Sequence, residues 1–435
     1  MLRRLGLPDV TGHVPLLAAL AVDALGSGVF LPFSVLFFTV TTPLSLAQVG
    51  LALSVAAGIA LPAGPLLGSL VDRSGAWRVL LAGNLLQALG VASYLVIDTF
   101  GGLVAAAVVV ALGNQAFWAA YSPLVTQVSD PGERERWYGL LGALRNAGFG
   151  LGGLLSGVAL VAGEATGYRS VAAVDAGSFL LAALLLLLDR PHTEPASVAG
   201  DVADSPDGAA GWRTVLSDRP YLAFTVVNIA FATNSFALTL VLPVYAVARL
   251  GLPPWLPGVG LTLNCLLIAL AQGPVVQALT GRARVRALQA SSALSAAFAV
   301  IMLLSAAVPP TVGVLVVLAA VAVFTLGELV ESPVLAALAA EAAPDALRGR
   351  YLALHQVSWN VSNTVAPALL TGLLAAGTWP VWAALIALGG AAAAGISAVS
   401  TRLPAARQLI GLAPAPVPAT PVHAPDHVVP PADPR

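Results

Sequence analysis

Asp23, Glu328, Glu331 and Arg145 each interrupt a long apolar run, where a charge has no water to solvate it. An ionisable side chain at bilayer depth is costly, so it marks either a site that handles ions or solutes or a group held by a buried partner. Asp23 falls about ten residues into the first apolar run, roughly 15 Å along a helix and close to mid-bilayer. Removing a carboxyl from water disfavours its ionised form, so an acid at that depth can take up and release a proton. This makes Asp23 the candidate proton-coupling residue, the plainer alternative being an aspartate that only supports packing. Glu328 and Glu331 are three residues apart and share a helix face. Two buried carboxylates so near each other do not readily both ionise. They form a second proton site or a patch for a cationic substrate, unless a buried partner satisfies one of them. Arg145 stands two turns after Tyr138, beside Asn146; its long side chain either snorkels to the headgroups or takes Asp175 as its counter-charge.

Polar and aromatic side chains recur at helical spacing in two further runs. Asn114, Trp118, Tyr121 and Ser122 form one set, and His355, Gln356, Trp359, Asn360 and Asn363 the other. Each set falls on one side of its helix, away from lipid, where it lines a cavity. Aromatic rings with a few amides suit an amphipathic organic molecule better than a highly charged one. No cofactor or metal is expected: His423 and His427 are four apart, but in a Pro-rich tail. An enzyme is not expected either, because no Ser/His pair, His/Glu metal spacing or paired aspartates on neighbouring helices occurs.

These residues need elements that span a bilayer. Of 435 residues, 58% are hydrophobic and 9% charged, with a mean hydropathy of +0.88. A soluble domain carries about a quarter charged residues, so lipid must solvate most of this chain. Its net charge of -1 gives no reason to expect nucleic acid, and with Cys265 alone no internal disulfide can form. Arg3 and Arg4 precede a stretch too long for a signal peptide, which reads as the first membrane helix. About twenty apolar residues cross a bilayer, and twelve such runs can be laid end to end. The expected fold is therefore all-α, with twelve transmembrane helices in two pseudo-symmetric six-helix bundles. The expected division is 1–189 for the first bundle, 190–219 for a central loop with a short interfacial helix around Trp212, Val215 and Leu216, 220–403 for the second bundle, and 404–435 for a disordered Pro-rich tail. Seventeen of the 20 arginines fall on one face of this arrangement and two, Arg169 and Arg249, on the other. The arginine-rich face is the cytoplasmic one, which puts both termini in the cytoplasm and the protein in the cell membrane.

The halves repeat. Gly64-Pro65-Leu66-Leu67-Gly68-Ser69-Leu70 aligns with Gly273-Pro274-Val275-Val276-Gln277-Ala278-Leu279, and Pro32 with Pro243. Counting back nine residues from each of those prolines gives Asp23 in one half and Asn234 in the other, so Asn234 is a further cavity candidate. Parallel repeats across a central loop are a transporter architecture, with the substrate site between them at the midplane. In the fifth run Gly148 and Gly152, and Gly153 and Gly157, make a small-residue ridge for close helix contact.

The connection between the second and third runs, with Gly68, Leu70, Asp72, Arg73 and Gly75 in series followed by Arg78, resembles the signature of the major facilitator superfamily of secondary transporters. Asp130 to Tyr138 and Pro344 to Tyr351 are similar to two further connections of that family. The glycine-rich fifth run loosely resembles the family's antiporter motif without its proline. The resemblance implies a gating latch, with Asp72 meeting the start of the eleventh helix near Gly349 and Arg73 pairing with Asp130. It implies a monomeric, proton-coupled exporter of a small amphipathic organic compound. The alternatives are uptake or facilitated diffusion of a metabolite, or a receptor that binds without transport.

Overall fold

Prolines and short polar breaks cut the apolar chain into rods. The computed structural model describes residues 10, 12–128, 134–160, 164–188, 208–344, 347–403 and 409–410. Among them twelve rods follow in order: α1 (Val14–Thr41), α2 (Leu46–Ala60 continued by Ala63–Ser74), α3 (Ala76–Tyr94), α4 (Phe100–Val128), α5 (Arg134–Leu160) and α6 (Glu164–Leu188). The second half has α7 (Arg219–Arg249), α8 (Leu256–Leu279), α9 (Arg284–Leu304), α10 (Pro310–Glu341), α11 (Arg348–Ala376) and α12 (Thr378–Ser400). Eight of these are long and apolar enough to cross a membrane unaided. The remaining α2, α3, α5 and α11 trade apolar length for contacts. Helix α2 breaks at Leu61 and Pro62, α3 buries Asn84 and Gln87, α5 carries Arg145 and Asn146, and α11 carries His355, Gln356, Asn360 and Asn363.

Each half repeats one packing scheme. Helix α1 lies on α5 and α6, α3 on α4 and α6, and α2 on α4; moving every number up by six gives the contacts of α7 to α12. Two seams join the halves, α5 with α8 and α2 with α11, and the same shift exchanges them. The distortions repeat as well. Pro32 sits in a 3-10 turn, Leu31–Phe33, within α1, and Pro243 adjoins the π-helical stretch Ala237–Val241 within α7. The α2–α3 and α8–α9 turns use Gly75 and Gly281 at φ 86° and 78°, a left-handed conformation that glycine adopts without a Cβ clash.

The apolar core is divided unequally along the rods. On the distal side, away from where α1 begins and α12 ends, one cluster runs through both halves, from Phe33, Phe37 and Phe38 to Leu242, Tyr245, Leu370 and Trp382. On the proximal side each half keeps its own cluster, around Leu80, Leu124 and Trp137 in the first and Tyr221, Leu338 and Tyr351 in the second. The two bundles thus close distally and part proximally.

A helix does form in the central loop, Gly208–Ser217, with Val215 buried and Trp212 and Leu216 exposed. The tail departs from the expectation of disorder at one point. Ile410 donates its N–H to the Arg282 carbonyl and accepts one from the Gly281 N–H, both at 2.9 Å, and Ala283 bridges antiparallel to Leu409. The extended α8–α9 turn offers free backbone groups that this short strap satisfies. The rest of the tail lies outside the described residues.

Candidate functional site

Between the bundles lies a cavity of about 630 Å³, walled by Ala57 and Ala60 of α2, Ala111, Asn114, Gln115 and Trp118 of α4, Phe236 of α7, and Gln356, Trp359, Asn360 and Asn363 of α11. Gln356 and Trp359 also border a second lobe of about 340 Å³, which runs proximally past Ser235, Glu328, Glu331 and His355. Sharing that wall, the two form one vestibule. Both seams are tight on the distal side. A Cβ at Gly50 would overlap the Thr371 hydroxyl and lie 2.5 Å from the Pro367 carbonyl oxygen, and a Cβ at Gly153 would lie 2.8 Å from the Gly258 carbonyl oxygen. Two hydrogen bonds cross between the halves at this level. The Thr262 hydroxyl donates to the Gly150 carbonyl at 2.7 Å, and the Ala368 N–H donates to the Ser54 hydroxyl at 2.9 Å.

Of the cavity residues expected from sequence, Asn114, Trp118, Trp359, Asn360 and Asn363 line it. Tyr121 stands one layer back, its ring 5.5 Å from that of Trp118 and stacked at 5.9 Å on Phe117. Asn234 is buried and turns its amide towards Gly389 of α12. Ala57, Ala60 and Phe236 complete the walls. They carry no polar signal, and only their helical phase with Ser54 and Ser235 hints at their position.

The first half holds a charged group behind the cavity wall. Asp23 is 5% exposed and Asp175 3%, so both face protein, not lipid. Asp23 interacts electrostatically with Arg145 and with Asp175, and Arg145 also interacts with Tyr121; contrary to the sequence expectation, Asp23 on α1 and Asp175 on α6 are a pair of aspartates on neighbouring helices. Gly26, three residues after Asp23, leaves the room that Ser178 occupies one turn from Asp175: a Cβ there would overlap the Ser178 hydroxyl and lie 3.1 Å from Asp175 Oδ1. The guanidinium of Arg145 lies 4.8 Å from the Trp118 ring centroid, 5.0 Å from that of Phe149 and 5.5 Å from that of Phe117. Cation–π attraction of about 0.5–2 kcal/mol per contact holds it there. Trp118 therefore borders the cavity and also touches Arg145.

The second half puts its acids in the vestibule itself. The Asn264 amide donates to Glu328 Oε2 at 2.8 Å and to the Thr325 hydroxyl at 3.0 Å, and the Ser291 hydroxyl donates to Glu331 Oε2 at 2.8 Å. Each carboxyl keeps oxygen lone pairs towards the lobe. His355 stacks on Phe224 at 5.3 Å, nearly parallel at 9°. Polar pairs, Asn228 with Ser358 at 2.6 Å and Thr233 with Ser362 at 3.1 Å, tie α7 to α11.

At the proximal side Arg73 and Arg78 are exposed, Gly75 makes its turn, and a Cβ on Gly68 would meet nothing within 4 Å. Asp130 and the side chain of Asp72 lie outside the described residues. Among those residues no three His, Cys, Asp or Glu side chains gather as a metal site.

A sequence model described as "Major Facilitator Superfamily" matches residues 16–367. The chain is 29% identical over 229 residues to "Multidrug resistance protein MdtH" of Aeromonas hydrophila, covering 52% of this chain and 55% of that one. It is 26% identical over 204 residues to the protein of the same description from Proteus mirabilis, covering 46% and 48% respectively. It thus spans about half the length of these curated relatives. Among solved structures, a point mutant of the nucleoside transporter NupG superposes with a TM-score of 0.73 at 13% identity, covering 89% of this chain and 99% of that one. The peptide transporter POT in complex with sulfate superposes with a TM-score of 0.67 at 17% identity, covering 92% and 96%.

Proposed function

The chain belongs to the Major Facilitator Superfamily as a multi-pass membrane transporter, and we propose that it exports a small amphipathic organic compound in exchange for protons. The observation that carries this reading is the Asp23–Arg145 couple, buried in one bundle yet joined to the cavity through the shared Trp118 wall. A proton added to Asp23 neutralises the carboxylate and removes the attraction that holds Arg145 towards α1. The guanidinium then rests on Trp118 and its neighbours alone, and the cavity wall shifts with it. Coupling follows because substrate against Trp118 and a proton on Asp23 act on the same side chain. Glu328 and Glu331, in the proximal lobe, assist by exchanging protons with water there.

Alternating access would proceed by rocking of the bundles about the two seams. The present arrangement is the state open proximally. Closing that side would bring the Gly64–Leu80 connection towards the start of α11, where Asp72 and Arg73 serve as the latch, Arg73 pairing with Asp130. The arginine bias supports a cytoplasmic proximal side and an inner-membrane location. Arg73, Arg78, Arg282, Arg284, Arg286, Arg350 and Arg402 end rods on that side, and Arg169 and Arg249 on the other. The description of the curated relatives as multidrug resistance proteins favours export of drug-like compounds.

The test compares the intact protein with Asp23→Asn in proteoliposomes loaded with a lipophilic dye. Under an imposed pH gradient the intact protein accumulates dye and Asp23→Asn does not, while dye-for-dye exchange without a gradient persists in both. Equal gradient-driven accumulation by the two proteins refutes the coupling role.

A further inference from the structure

A groove of about 700 Å³ lies apart from the vestibule, on the proximal rim of the second half. Arg282, in the α8–α9 turn, and Arg286, in the first turn of α9, form its mouth; Ala287, Ala290 and Val330 line its depth, and Leu409 crosses it. Val330 lies eleven residues before the end of α10 at Glu341, roughly 16 Å in from the membrane surface at helical rise. The groove therefore runs from headgroup level to acyl-chain level. We infer that it holds one anionic phospholipid, with the phosphate between Arg282 and Arg286 and an acyl chain along Ala290 and Val330.

Three observations select this occupant. First, Arg282 and Arg286 are exposed and, among the described residues, have no acidic partner, whereas Arg284 between them turns inward to Glu341 at 2.6 Å. Second, the two repeat copies differ in charge. The first connection sets Asp72 before Arg73, but the second has Gly281 before Arg282, and residues 280–286 contain three arginines and no acid. The second copy therefore lacks the anion that its own chain would supply. Third, cations in a helix's first turn oppose its dipole, so Arg286 does not serve to stabilise α9. A free phosphate would satisfy the arginines but leave the apolar depth empty; a lipid satisfies both. Basic pockets at this level recognise anionic headgroups, each arginine contributing about fivefold in affinity.

The experiment measures lipid retained by the purified full-length chain in mixed micelles, by native mass spectrometry, with phosphatidylglycerol or phosphatidylcholine as probe. Phosphatidylglycerol binds preferentially to the intact protein. Arg282→Gln with Arg286→Gln weakens its binding roughly 30-fold. Arg402→Gln, an exposed arginine on the same side but off the groove, leaves binding unchanged. Ala290→Trp fills the depth while keeping both arginines, and also weakens binding at least fivefold. Equal binding of the two lipids overturns the inference, as does a double variant that behaves like Arg402→Gln. If Ala290→Trp binds normally, the groove is a surface charge patch and the inference also fails.

Discussion

Adding one methyl group at Gly50 tests how the distal side is sealed. On the α2–α11 seam the Cβ of Gly50→Ala would overlap the Thr371 hydroxyl and stand 2.5 Å from the Pro367 carbonyl oxygen. The hydroxyl can rotate away, but the carbonyl belongs to the backbone. Ordinary contact begins at 3.4 Å, so α2 and α11 must part by about 0.9 Å or the state must be abandoned. Overpacking of this kind costs about 1–3 kcal/mol. That cost falls only on the distally closed state, which shifts the equilibrium towards the distally open one by about 5- to 150-fold. Spin labels at Val96→Cys and Val312→Cys, exposed on the distal side of opposite bundles, report the change in a Cys265→Ser background. The long-distance population rises with Gly50→Ala. It does not rise with Gly372→Ala, where a Cβ on neighbouring α11 meets nothing within 4 Å. Unchanged distances in a folded Gly50→Ala protein would refute the claim that this seam closes the distal side.

Three further outcomes are expected. Gly142→Leu on α5, whose Cβ meets open space here, leaves this state intact but blocks proximal closure; dye exchange falls at least tenfold with no loss of thermal stability, and normal exchange counts against it. Trp118→Ala removes a cavity wall and the ring 4.8 Å from Arg145, so dye affinity measured by fluorescence quenching drops about three- to tenfold; an unchanged affinity would place the binding region elsewhere. Tyr351→Phe deletes the 2.9 Å hydrogen bond from the Tyr351 hydroxyl to Asp218 Oδ2, which links α11 to the start of α7. It lowers stability by about 1 kcal/mol, visible as an earlier melting transition by tryptophan fluorescence.

Much of the architecture is legible in the chain because each spanning rod must be apolar for about twenty residues, and the polar breaks are short. The Gly64-Pro65 and Gly273-Pro274 copies also disclose the repeat before any contact is known. Asn234 shows how far counting reaches. It lies nine residues before Pro243, as Asp23 lies nine before Pro32, yet the interval crosses the π-helical turn Ala237–Val241. Asn234 nonetheless turns to Gly389 of α12, the counterpart of α6, where Asp23 acts on Asp175; the count reaches equivalent positions, and neither residue lines the cavity. The cavity walls at Ala57, Ala60 and Phe236 escape because apolar residues facing a cavity and apolar residues facing lipid read alike. Arg145 carried two sequence readings, snorkelling or pairing with Asp175. Neither foresees its place on Phe117, Trp118 and Phe149: Phe149 follows four residues on and is legible as a helical neighbour, but the α4 rings meet Arg145 only through tertiary packing.

The small residues of the seam helices fit the proposed alternation between two states. On α2, Gly50 and Ser54 touch α11 distally, and Gly64 and Gly68 continue the same face proximally, where a Cβ would meet nothing within 4 Å. On α5, Gly150, Gly153 and Gly157 meet α8 distally, and Gly142 continues that stripe into open space; on α8, Gly258 is in contact and Gly273 is not. A glycine inside a helix costs about 1 kcal/mol against alanine, and the proximal ones gain nothing from the present packing. Under the proposed alternating access, rocking the bundles to close the proximal side is the motion that would bring those faces together. Each seam thus carries two smooth patches, one in use and one in reserve.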